Sequence, residues 1–151
     1  MNIDDALNAV EAIDMSVLVS DLIEKGTDRA RAERSVAQYR EFFATCAAYP
    51  DAPLVPTHLC DLAWHAHMLR PSKYARDCMA VLGHIMDHDP GVYRTGPFQE
   101  AYDLTRKLVP YGHLMPVDAY ALENEMAGAE CFREPNQRPD REDPLYIKFD
   151  A

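Results

Sequence analysis

The stretch PTHLCDLAWHAHMLRPSKYARDCMAVLGHIMDHDP, residues 56–90, decides how this chain is read. Thr57 is a good helix N-cap, because its hydroxyl can accept from a backbone N–H near the start of the helix, and no helix breaker follows before Pro71. Proline suits the first turn of a second helix, where its missing N–H would have had no partner anyway. The pattern predicts an αα-hairpin, with one helix over 57–70 and another over 72–88, ended by Asp89-Pro90-Gly91.

Five of the six histidines fall in 58–88, together with the only tryptophan, Cys60, Cys78, Asp61, Asp77 and Asp87. Helical geometry sorts them. Asp61 and His65 are i,i+4 neighbours, and His58 lies on the same line two turns away. His67 sits about 200° around the axis from His65, so it points elsewhere, with Cys60, Ala63 and Trp64 as neighbours. On the second helix Tyr74, Asp77 and Cys78 share one region, and His84 and His88 are again i,i+4. A turn centred on residue 71 pairs positions whose numbers sum to about 142. His65 then faces Asp77 and Cys78, Asp61 faces Val81, and His58 faces His84, so a seam holds His58, Asp61, His65, Asp77 and His84, with His88 at its end. Two imidazoles and a carboxylate with positions left open are the ligand set of a non-haem iron centre, and a tighter geometry suits zinc. The competing reading is a buried His–Asp hydrogen-bonded pair that orders the core.

Outward from the hairpin the helical reading continues. Ile3, Leu7, Val10, Ile13, Val17, Leu18 and Leu22 keep helical spacing, divided near Asp14 and Ser16 and stopped by Gly26. Thr27 is the expected cap of the next helix, whose stripe is Ala32, Val36, Tyr39, Phe43 and Ala47, and DAPLVP is a stiff extended connector. Further helices are expected over 98–108 and 117–127. The fold class is therefore all-α, a single-domain bundle of five to six helices over 1–132. Residues 133–151 form an extended, Pro-rich charged tail, in which LYIKFD alternates like a strand over 145–149. That arm either folds back or pairs with a second copy, giving a homodimer.

A chain of 151 residues buries about two-thirds of its surface in one core and needs no metal to hold it together. The net charge of −10 excludes a phosphate backbone as partner, since Arg29, Arg31 and Arg34 are interleaved with Asp28 and Glu33. The same charge repels an anionic membrane surface, no apolar run is long enough to span a bilayer, and acids stand near the N-terminus where a secretory signal carries bases. The expectation is a cytoplasmic protein. Cys46, Cys60, Cys78 and Cys131 contain no CxxC pair and are expected as four free thiols, most of them buried.

From Tyr39 through His88 the sequence resembles the glycine-rich domain-containing protein-like family. The matching residues are YREFF, the LVPT connector, DLAWHAHML with its D-x-x-W-H-x-H element, the Tyr74 of PSKY, Asp77-Cys78, Leu82-Gly83 and His88 before Asp89-Pro90. Six glycines cannot make the glycine-rich region that names the family, and Asp87 stands where bacterial-type members carry a second histidine. The resemblance implies a small helical domain with Asp61, His65, His67, Tyr74, Asp77, Cys78 and His88 as its functional set. His58 and His84 are outside that pattern. Together with the hairpin geometry this gives Asp61 and His65 as metal ligands, His88 or His67 as a third, and Asp77 as an acceptor fixing a histidine tautomer. Tyr74 or Cys78 would stand beside the open position. The expected cofactor is one transition metal ion, Fe(II) first and Zn(II) second, serving an oxidative or hydrolytic reaction on a small molecule or peptide. The alternative is a non-catalytic interaction module in which WHxH is core and the acidic surface or the arm binds a partner; a third reading makes Cys60 or Cys78 a nucleophile.

Overall fold

α3 (Arg29–Ala48) is the helix against which α1 (Ile3–Glu11), α2 (Ser16–Glu24) and α4 (His58–Met68) pack. It buries Ala32, Val36, Tyr39, Phe42, Phe43 and Cys46, meeting Ala6 and Val10 of α1 and Leu18 and Leu22 of α2. The break between the first two helices falls where the sequence puts it: Asp14 Oδ1 accepts from both the backbone N–H and the hydroxyl of Ser16, at 2.9 and 2.6 Å. Arg40 donates to the carbonyls of Val10 and Ile13, at 2.9 and 3.0 Å, which ties α3 to the end of α1 and the turn after it. The cap of α3 is Asp28, accepting from the Arg31 N–H at 2.9 Å, one residue later than the expected Thr27. The structure is a computed structural model that describes residues 1–90, 96–121, 123–129 and 131–133.

The roll of α4 on α3 is fixed by buried polar contacts. Ser35 Oγ donates to the Leu59 carbonyl at 2.6 Å and accepts from the Ala63 N–H at 3.1 Å. Thr57 caps α4 by accepting from the Cys60 N–H at 3.0 Å, and its hydroxyl donates to Gln38 of α3. The N–H groups of His58 and Leu59 donate to the carbonyls of Ala127 and Glu125, at 3.0 and 2.9 Å. With the helix held this way, Cys60, Ala63, Trp64 and His67 face the core, while Asp61 and His65 come to its flank.

α5 (Pro71–Val81) is shorter than the expected 72–88. Gly83 takes φ +77°, a left-handed conformation that ends helices, and its N–H reaches the carbonyls of Cys78 and Met79, both at 3.2 Å. The chain then unwinds and delivers His88 on a strand, β1 (His88–Pro90), which pairs antiparallel with β2 (Cys131–Arg133). His88 stands opposite Arg133, and Pro90 opposite Cys131. Arg133 is fully buried and ties this ribbon to the connector, its Nη2 donating to the carbonyls of Tyr49 and Ala52 at 2.7 and 2.8 Å and its N–H to that of Leu54 at 2.8 Å. The Val55 N–H donates to Thr105 of α6 (Gly96–Leu108) at 2.9 Å.

The helix expected over 117–127 is absent among the described residues there. Asp118 and Asn124 accept from the N–H groups of Tyr120 and Met126, both at 2.9 Å, and such local side-chain turns compete with helix. The architecture is all-α, six helices with one two-stranded ribbon among the described residues. Arg133, expected as the first residue of the extended tail, is instead buried in β2, and residues 134–151, with the rest of the expected arm and the strand at 145–149, lie outside the described residues. No helix among the described residues is long and apolar enough to cross a membrane.

Candidate metal centre

Asp61, His65 and His88 form one cluster, with a donor atom of each within 4.8 Å of the others. The helix supplies the first two as an i,i+4 pair, and the unwound segment after Gly83 supplies the third. Asp61 Oδ2 lies 3.2 Å from His65 Nε2, Asp61 Oδ1 lies 2.9 Å from His88 Nε2, and the two Nε2 atoms are 3.1 Å apart. The Asp61 and His88 side chains are mostly covered, whereas that of His65 is 55% exposed, so the cluster opens to solvent on one side. His88 is backed by Trp64, whose ring it meets edge-on at 4.4 Å between centroids.

The electrostatics favour an ionised carboxylate. Burial alone would raise the Asp61 carboxyl, but hydrogen bonds from His65 and His88 outweigh it and hold the group well below the usual carboxylate range. The same contact raises His65, against a smaller opposing effect of burial.

His67 is placed elsewhere, which corrects its expected role as a third ligand. It is fully buried, with Nδ1 at 2.7 Å from the Tyr39 hydroxyl and Nε2 at 2.8 Å from Asp77 Oδ2. Burial lowers its basicity despite Asp77, and burial pushes the Tyr39 phenol far up, so Tyr39 O–H donates to Nδ1 and Nε2–H donates to Asp77. Both ring nitrogens are therefore used. Asp77 meets His67 and Lys73 Nζ, the latter at 3.0 Å, and does not face His65 as simple hairpin counting predicts. It still acts as the acceptor that fixes a histidine tautomer, on a different histidine.

Two proteins of Arabidopsis thaliana share part of this sequence. Over 53 residues, 35% of the chain, it is 38% identical to glycine-rich domain-containing protein 2, and over 61 residues, 38% of the chain, it is 33% identical to glycine-rich domain-containing protein 1. The chain resembles glycine-rich domain-containing proteins. The matches span only 6% and 7% of those two proteins. No family model matches the chain, and no solved structure matches it.

The other residues expected in the functional set group with His67. Tyr74 is buried, accepts from Trp64 Nε1 at 3.0 Å, donates to the Met86 carbonyl, and meets the His67 ring edge-on at 4.9 Å. Cys78 is buried, and desolvation raises its thiol to about 11, the opposite of what a nucleophile needs. Cys60 is likewise buried and raised. All four cysteines are free and buried, as the lack of a CxxC pair suggested. His58 and His113 are exposed, and neither they nor His84 join the cluster. One contact was not legible beforehand: Cys131 Sγ donates to Asp61 Oδ1 at 3.3 Å. Seventy positions separate the two residues, and no spacing motif links them.

Proposed function

We propose that Asp61, His65 and His88 hold one transition metal ion, Fe(II) in preference to Zn(II), and that the positions they leave open serve an oxidative or hydrolytic reaction on a small molecule or peptide. The observation that carries this reading is the 3.1 Å between the Nε2 atoms of His65 and His88, with the Asp61 carboxylate touching both. For bonds of about 2.1 Å, adjacent ligands of an octahedral centre lie about 3.0 Å apart and those of a tetrahedral one about 3.4 Å. The spacing lies close to both values, and Fe(II) is preferred because two imidazoles and a carboxylate with positions left open are the ligand set of a non-haem iron centre. An ordering role explains the cluster less well, because a side chain as exposed as His65 adds little to a core.

Metal analysis of the purified protein, with anaerobic Fe(II) and Zn(II) titrations, tests the reading against His65→Ala. One equivalent bound by the wild type and lost in the variant is expected. Equal, negligible metal in both overturns it.

A further inference from the structure

We propose that Cys131 is a positioning residue of this centre, its thiol holding the Asp61 carboxylate in the orientation that faces both imidazoles. The inference rests on reading Asp61, His65 and His88 as ligands.

Cys131 arrives on β2, and the register explains how. Residues 88 and 90 of β1 face 133 and 131 of β2, so with the two-residue alternation of a strand His88 and Cys131 lie on one face of the ribbon. From that face both side chains reach Asp61 Oδ1, His88 Nε2 at 2.9 Å and Cys131 Sγ at 3.3 Å, while Oδ2 meets His65 at 3.2 Å. Turning the carboxylate about its last side-chain bond would break both contacts at Oδ1. Only 2% of Cys131 is exposed, so its thiol is shielded from water and has Asp61 as its acceptor. Carboxylates that ligate metals are commonly oriented by such outer hydrogen bonds. The thiol stays outside the ligand set: the donors that lie within 4.8 Å of one another are those of Asp61, His65 and His88, and Cys131 touches them through Asp61.

The centre is thus assembled from a helix and from both strands of the ribbon. Removing the thiol should loosen the metal without removing a ligand, by the 10–100-fold that outer-sphere partners typically contribute.

Co(II) titration of the full chain, followed by absorbance, tests this. The wild type should show cobalt d–d bands with no thiolate-to-cobalt charge-transfer band. Cys131→Ala should bind Co(II) about 10–100-fold more weakly, and Cys131→Ser, which keeps a donor, should recover part of the loss. A thiolate charge-transfer band in the wild type overturns the proposal by making Cys131 a ligand, and wild-type affinity in Cys131→Ala overturns it by leaving the thiol without a role. His65→Ala separates the two readings: if it abolishes binding while Cys131→Ala does not weaken it, the triad stands and only the role of Cys131 falls. A wild type that binds no Co(II) removes both. Should Cys131→Ala fail to fold by circular dichroism, the wild-type spectrum and the serine variant still decide.

Discussion

Replacing His67 by alanine should destabilise the fold and leave metal affinity intact, whereas replacing His65 should do the reverse. The two residues stand two positions apart in one motif, so the pair of variants separates a core role from a ligand role. His67 is fully buried among the rings of Tyr39, Phe43 and Tyr74, with centroids at 5.5, 6.1 and 4.9 Å. Its removal leaves a ring-sized cavity, which costs about 2–3 kcal/mol by analogy with large-to-small core changes. It also strands the buried Tyr39 hydroxyl, at about 1–3 kcal/mol. Asp77 is less affected because Lys73 remains 3.0 Å away. The sum is about 3–6 kcal/mol, or a fall in Tm of about 6–24 °C for a chain of this size. In the double variant with Tyr39→Phe the stranded hydroxyl is gone, so the combined loss should fall short of the sum of the single losses by about 1–3 kcal/mol. His65→Ala, at an exposed site, should change stability by no more than about 0.5 kcal/mol. Urea unfolding followed by circular dichroism, beside Zn(II) titration of each variant, measures all of this. A His67→Ala protein of wild-type stability that has lost its metal would refute the assignment.

Three further outcomes follow from local geometry. Metal affinity should rise with pH, because the ion must displace a proton from His65, whose basicity is raised above the ordinary 6.5 by Asp61. Stability of the metal-free protein runs the other way: the His65 contribution is fully present below 6.5 and is lost as pH rises through the raised value, while that of Asp61 is present above 3.8 and lost only as acid carries it below that. Zn(II) titrations and unfolding curves across about pH 6–8 check both signs, and an affinity flat with pH contradicts the first. Gly83→Ala meets no atom within 4 Å of the new Cβ, so its cost is the left-handed backbone alone, about 1–2 kcal/mol, with weaker metal binding because His88 is misdelivered. A stabilised Gly83→Ala protein would mean that the helix simply extends.

Asp61 and His65 were legible because both sit on one helix, where spacing alone decides which side chains meet. The same rule turned His67 away from them. The hairpin count went wrong across helices, pairing Asp77 with His65 when it meets His67. What it lacked was the roll of α4, set by Ser35 and by the Thr57–Gln38 contact, which no periodicity announces. His88 reached the cluster by a route unlike the expected helix, since one glycine at φ +77° ended α5 early. Cys131 was invisible because a three-residue strand carries no period long enough to read, and its partner lies far along the chain.

The D-x-x-W-H-x-H element therefore combines two devices on one helix. Asp61 and His65 make the outward face, and Trp64 and His67 make the inward one. They are coupled through Trp64, which supports His88 with its ring and donates to Tyr74 with its indole N–H. Tyr74 in turn packs on His67. A chain of this length buries a core without needing an ion. The inward face is core, and the outward face, open to solvent at His65, is where the proposed ion would sit.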